Sequence, residues 1–189
     1  MSTDAQAAAH PSGRGATVWL TGLPSAGKTT VARSVAERLA GFGRRAEVLD
    51  GDEMRSALCA DLGFSKEDRE TNVLRIGFVA RLLASHGVLV LVPVIAPYAA
   101  GRARVAGDHA EHDTRHFEVY VNAPLAVCAA RDVKGLYARQ AAGDMSNLTG
   151  VDDPYEAPVS PSLVLDTGTL SVAQSVELVI DLLKADGLI

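Results

Sequence analysis

Residues Thr21 to Thr30 read TGLPSAGKTT and follow directly on the apolar stretch ATVWL. This junction limits the possible folds more than any other part of the chain. A strand ends there, and the next residues expose main chain instead of burying side chains. Gly22, four further residues, Gly27, Lys28 and Thr29 make the phosphate-binding loop pattern, here in its required place between a strand and a helix. The glycines let main-chain N–H groups converge, and with the helix N-terminus those donors form an anion site. Gly22, Leu23, Pro24, Ser25, Ala26, Gly27, Lys28, Thr29 and Thr30 are therefore expected to hold a nucleoside triphosphate. Lys28 is expected to reach its β- and γ-phosphates, and Thr29 to place its hydroxyl on Mg²⁺.

The rest of the chain alternates in the same way. Thr17–Thr21 reads as a buried strand, and Val31, Val35 and Leu39 recur at helical spacing until Gly41 and Gly43. Ala46–Asp50 is a second strand, expected beside the first. Ser65 and Asp68 form a capping pair ahead of a helix running to about Ser85. Val88–Ala96 (VLVLVPVIA) reads as a long strand whose unbroken apolar character suits a parallel sheet covered on both faces. FEVYV and SLVLD are two more strands. Ser171 and Gln174 make a capping box for a last helix, whose core stripe is Val172, Val176, Val179, Ile180 and Leu183. The expected fold is α/β: three layers of the P-loop NTPase kind, a mainly parallel five-stranded sheet between helices. Ligands of such sheets sit beyond the carboxyl ends of the strands, so the residues just after Thr21, Val48, Ile95, Val121 and Leu165 are the ones to inspect.

The 189 residues fit one domain, and residues 1–15 read as a flexible polar tail ahead of a domain over 16–189. The net charge of −5 argues against a nucleic-acid partner. Two cysteines are too few for a disulfide scaffold, and neither they nor the five histidines show a zinc spacing. No apolar run is long enough to span a bilayer. A soluble cytoplasmic protein with no membrane partner is expected.

No guanine-reading NKxD-like segment is present, which weighs against a GTPase. The third strand ends without an acid. Two acids instead follow the second strand, in LDGDEMR: Asp50 and Asp52. One of them is expected to face the γ-phosphate, hold an acceptor hydroxyl or bind the metal. RDVKGLYARQAAG, residues 131–143, places Arg131, Lys134 and Arg139 in one helical stretch, where kinases carry a mobile lid that closes cations over phosphates.

Taken together, GLPSAGKTT, LDGDEMR, LGFSKEDRETNVLRIGFVARLL, VPVIAPY, RDVKGLY and LTGVDDPYEAP resemble the adenylylsulfate kinases in order and spacing, from about Ala16 to Leu165. The resemblance implies transfer of the γ-phosphoryl of ATP to the 3'-hydroxyl of adenosine 5'-phosphosulfate (APS), giving 3'-phosphoadenosine 5'-phosphosulfate in sulfate activation. It implies Lys28, Asp50 and Asp52 as catalytic residues, with the metal on Thr29 and on Asp50 or Asp52. Arg131 and Lys134 would help hold ATP, in a lid of about residues 131–157. Asp52, Arg55, Phe64, Arg69, Asn72, Ile95, Ala96 and Leu148 would surround the acceptor, Phe64 packing on its adenine. Arginines suit a phosphosulfate because they bind anions in bidentate fashion. A homodimer and a functional coupling to an ATP sulfurylase are left open. So are another nucleotide or sugar as acceptor, and a non-catalytic ATP-binding regulator.

The chain departs from the resemblance at four positions. Many members read ISPYR where this chain has IAPYA, so Ala96 removes a serine hydroxyl that a phosphoenzyme would need, and direct transfer is favoured. Ala99 replaces a common arginine, for which Arg102 is the expected substitute. Ser146 and Leu148 stand where many members have a lysine and a phenylalanine, which removes one charge and one aromatic face from the acceptor's surroundings.

Overall fold

The structure, a computed structural model, describes residues 14–189; the expected tail lies outside these but for its last two residues. Elements follow in the order β1 (Ala16–Thr21), α1 (Lys28–Ala40), β2 (Ala46–Val48), α2 (Gly51–Ala57), α3 (Lys66–Ser85), β3 (Leu89–Pro93), α4 (Ala99–Glu111), β4 (Arg115–Asn122), α5 (Leu125–Arg131), α6 (Leu136–Ala141), β5 (Leu163–Asp166) and α7 (Val172–Ala185). The five strands form one sheet in the order β2-β3-β1-β4-β5, and every pairing is parallel. β2 therefore lies beside β3 and not beside β1, because β3 occupies the place next to β1.

Side chains alternate across the strands, and both faces are covered. Val18 and Leu20 of β1 and Leu89 and Leu91 of β3 pack with Val31, Val35 and Leu39 of α1 and with Val176, Val179, Ile180 and Leu183 of α7. Trp19 of β1 and Val90 and Val92 of β3 pack on the other face with Val73, Ile76 and Ala80 of α3 and Val105 of α4. Each fully buried Leu, Ile or Val contributes roughly 1.5–3 kcal/mol.

Both capping readings hold. Ser65 Oγ accepts from the Asp68 amide at 3.1 Å, and Ser171 and Gln174 form a full capping box on α7. Val172 is a correction: it begins α7 but is 44 % exposed, and the core stripe starts at Val176. β2 and β3 are shorter than the apolar runs suggest. Asp50 is already the cap of α2, and beyond Pro93 the chain turns until Ala96 takes a left-handed φ of 44°. The basic stretch 131–143 is two helices, not one. Asp132, at φ 26°, breaks it, and its carboxylate caps α6 by accepting from the amides of Tyr137 and Ala138 at 3.1 and 3.0 Å.

β4 and α4 enclose two histidines. His109 is fully buried; its Nδ1 bonds the Val105 carbonyl and its Nε2 the Thr17 hydroxyl. The His116 ring lies 4.9 Å from it, and His116 Nε2 has no partner. Burial, then the neighbouring His109, push the pKa of His116 down to about 3; burial lowers that of His109 as well. An unfolded histidine titrates near pH 6.5, so below that the unfolded chain binds protons the folded chain refuses. Stability is then intact above about pH 6.5 and falls as pH drops toward about 3, by at most ~1.4 kcal/mol per pH unit for each excluded proton. Urea midpoints measured between pH 7 and 5 should show this decline, and His116→Gln should make it shallower.

Candidate active site

Each turn of the Thr21–Thr30 loop has a local cause. Gly22 passes so close to the Val121 carbonyl oxygen that a Cβ would lie 2.3 Å from it. Gly27 caps α1 at φ 100°, a conformation side chains oppose. The loop's carbonyl oxygens are consumed by protein donors. Lys28 Nζ donates to Gly22 O at 2.9 Å and to Leu23 O at 2.7 Å. Tyr137 Oη donates to Pro24 O at 3.0 Å, and Thr167 Oγ1 to Ala26 O at 2.7 Å. With its acceptors engaged, the loop is a donor-rich surface at a helix N-terminus, which suits an anion.

This loop forms one wall of a cavity of about 970 Å³ at the carboxyl ends of the strands. Of the site residues expected from sequence, all but Gly22 and Leu23 line it; those two act through their carbonyls on Lys28. The lining includes the cations Lys28, Arg55, Arg69, Arg131, Lys134 and Arg139 against two acids, Asp50 and Asp52. In a chain of net charge −5 this is a local reversal of sign, and it focuses a polyanion on the cavity.

The two acids have separate settings. Asp50 caps α2 through Oδ1, which accepts from the Asp52 amide at 3.0 Å, and its Oδ2 accepts from Thr29 Oγ1 at 2.9 Å. It therefore joins the phosphate loop to the second strand. Asp52, one residue into α2, is exposed and pairs with Lys134 Nζ, from the turn between α5 and α6. Lys28 is 8 % exposed, and burial lowers its pKa to about 7.

On the opposite wall Phe64 is 63 % exposed, so it is not a core residue. The Arg55 guanidinium lies 4.6 Å from its ring centre and that of Arg69 5.7 Å. Arg69 also straps the cavity rim. It donates to Phe64 O at 3.0 Å, Thr149 Oγ1 at 3.0 Å and Asn147 O at 2.7 Å, which engages three of its five N–H groups. Asn72 lines the cavity with a buried Oδ1 that has no partner. Arg131 donates to the Thr167 carbonyl at 2.6 Å. Arg102 does not serve as the substitute for the arginine missing at Ala99. It is buried and spent on Glu118 and two carbonyls.

Thr167, Thr149, Asn147 and Met145 also line the cavity and were not singled out from sequence. Thr167 was within reach, because it lies two residues after Leu165, at the end of a strand. The others belong to an irregular segment whose shape comes from Asp152. Its carboxylate accepts from the amides of Asn147 and Leu148 at 2.8 and 2.6 Å.

A sequence model of the adenylylsulphate kinase family matches residues 14–166. The chain belongs to this family. An adenylyl-sulfate kinase of Synechococcus sp. (strain JA-2-3B'a(2-13)) is 51 % identical over 174 residues, 92 % of this chain and 97 % of that protein. The fold is similar to that of the Mycobacterium tuberculosis APS kinase CysC solved in complex with AMPPNP and APS. The TM-score is 0.88 at 47 % identity, over 91 % of this chain and 99 % of that one. A hexameric APS kinase from Thiobacillus denitrificans superposes with a TM-score of 0.70 at 34 % identity, over 94 % of this chain and 30 % of that one. This member of the family is thus a P-loop kinase, with its cavity at the carboxyl ends of a doubly covered parallel sheet.

The lowered pKa of Lys28 has a measurable consequence. At pH 8 a group with a pKa of about 7 is roughly nine-tenths neutral, and phosphates against Nζ restore its charge. Binding of an ATP analogue at pH 8 should take up nearly one proton, and less as pH falls through 7 to 6. Titration calorimetry in buffers of different ionisation enthalpy reads this uptake, and Lys28→Met should abolish it.

Proposed function

We propose that the chain transfers the γ-phosphoryl group of ATP to the 3'-hydroxyl of adenosine 5'-phosphosulfate, giving ADP and 3'-phosphoadenosine 5'-phosphosulfate. One observation carries the reading: an exposed aromatic ring flanked by two guanidiniums, Phe64 with Arg55 and Arg69, across the same cavity from the phosphate loop. A flat base needs such a platform and an acidic anhydride such cations. A sugar acceptor has no base for that ring to carry, so the two features together favour a nucleotide acceptor.

In this reading the loop amides and Lys28 hold the β- and γ-phosphates, and Arg131, Lys134 and Arg139 close over them. Asp52 accepts a hydrogen bond from the 3'-hydroxyl and orients it in line with the γ-phosphorus. As the 3'-oxygen bonds to phosphorus, the bond to the β,γ-bridging oxygen breaks and ADP leaves with that electron pair. The hydroxyl proton passes to Asp52 late in the step, because an alkyl hydroxyl becomes strongly acidic only as its oxygen bonds to phosphorus. Asn72, Ile95, Ala96 and Leu148 enclose the acceptor. Positioning and charge neutralisation account for the rate, as in other phosphoryl transfers.

Mg²⁺ fits the residues present. Thr29 Oγ1 and Asp50 Oδ2 are hard oxygen ligands 2.9 Å apart beside the phosphate loop. Among the described residues no three His, Cys, Asp or Glu cluster as a metal cage. When bound, held by Thr29 and Asp50, it would neutralise charge on the transferring phosphates.

Residues of about 131–157 form the lid, resting on the Asp52–Lys134 pair and the Arg69 strap, over a kinase domain of 16–189. Among the described residues no helix is long and apolar enough to cross a membrane, and a cytoplasmic site, a homodimer and coupling to an ATP sulfurylase complete the proposal.

The test is ADP release on adding APS to the chain with ATP and Mg²⁺. Turnover is expected, and preference for an acceptor without sulfate overturns the reading. Asp52→Ala should lower kcat by about 10²-fold or more with little change in the KM for ATP; survival within a few-fold removes Asp52 from its role. Phe64→Ala should raise the KM for APS by about 10-fold.

A further inference from the structure

Arg102 sits in the first turn of α4, is 4 % exposed, and does not line the cavity. Its guanidinium nonetheless joins three parts of the chain. Nε donates to Glu118 Oε1 of β4 at 2.7 Å. Nη1 donates to the Ala96 carbonyl and Nη2 to the Glu156 carbonyl, both at 2.7 Å. The surroundings repeat these links. The Glu156 amide donates to Pro97 O at 2.8 Å, and its carboxylate accepts from the Ala99 amide at 2.7 Å. Tyr155 Oη bonds Thr21 Oγ1 at 3.0 Å, and Thr21 Oγ1 donates to Ile95 O at 2.6 Å.

Ala96 is the strained member of this group. It holds φ 44° without being glycine, a conformation that persists only where its surroundings impose it. Ile95 and Ala96 form the cavity wall next to the acceptor side, and the segment at Tyr155 and Glu156 is the stem on which the irregular rim returns to the body.

We propose that Arg102 is a positioning residue for the acceptor: by gripping the Ala96 and Glu156 carbonyls together, it holds Ala96 left-handed and fixes the acceptor wall to the stem of the lid. The inference rests on the acceptor reading above. A lysine cannot replace the arginine, because one ammonium keeps the charge beside Glu118 but lacks the planar fork that spans both carbonyls.

Arg102→Lys, Arg102→Gln and the double variant Arg102→Gln/Ala96→Gly test it, with kcat and KM for APS and for ATP from ADP release and unfolding midpoints alongside. Arg102→Lys keeps a partner for Glu118 and should fold. Its KM for APS should rise by about 10-fold, the scale of a left-handed alanine released from restraint, while its KM for ATP stays within about two-fold. Arg102→Gln should show the same split, and adding Ala96→Gly should return much of the lost APS affinity, since glycine adopts positive φ without strain. An arginine that only stabilises the fold would lower the unfolding midpoint without that split or that recovery. Unchanged KM for APS in Arg102→Lys overturns the inference, and so does a rise that glycine at position 96 fails to relieve. No APS turnover in the unaltered chain would sink the functional reading and this inference with it; turnover with an unmoved KM in the variants sinks this inference alone.

Discussion

A buried ammonium group held by its own loop is the interaction on which the site depends. Lys28 Nζ bonds two carbonyls of the loop that leads into its helix, and burial costs it much of its preference for charge. The fold tolerates this because the same contacts shape the loop. With the carbonyls of Gly22, Leu23, Pro24 and Ala26 occupied, the remaining character of the turn is donor. Polyanion binding then relieves a destabilised group and satisfies the loop in one event. Asp50 serves the same economy of contacts: one carboxylate caps a helix and holds the hydroxyl of Thr29.

The opposite wall works by a different rule. The phosphate loop is built from main chain, with its carbonyls held by side-chain donors. The proposed acceptor side is built from side chains: Phe64 between two arginines close to it in sequence, Arg69 strapped to a rim 78 and 80 positions further along, and Asn72 with an unpaired oxygen. A site made this way can change its ligand preference by exchanging single residues, and of the four departures Ala96, Ser146 and Leu148 line the cavity while Ala99 does not. Leu148 is buried, so it still excludes water where a larger ring is missing.

What could be read in the sequence was what is local in it. The phosphate loop, the two caps and the alternation of strand and helix each rest on residues within a few positions of one another, and each stands in the structure. What was not legible depends on partners far along the chain. α4 was not foreseen because its first amide is capped by Glu156, 57 positions away. Thr167 braces a loop 141 positions distant. Arg102 looked available for an anion because nothing near it in sequence shows that Glu118, Ala96 and Glu156 use up its donors. The break between α5 and α6 had a local sign that was passed over: Gly135, a poor helix former, stands in it as the N-cap of α6.

The strand order has a consequence for how the protein is made. β1 sits in the middle of the sheet, and its neighbours come late: Ala16 pairs with Leu89 on one side and with Arg115 on the other. A ribosome adding about 5–20 residues per second needs on the order of 4–15 s to reach the nearer partner after finishing β1. For that time Trp19 and its apolar neighbours have no sheet to join. The nascent chain is therefore most exposed to misassembly and to chaperones while its first half is being translated, and synonymous changes that slow translation before Leu89 should prolong that exposure.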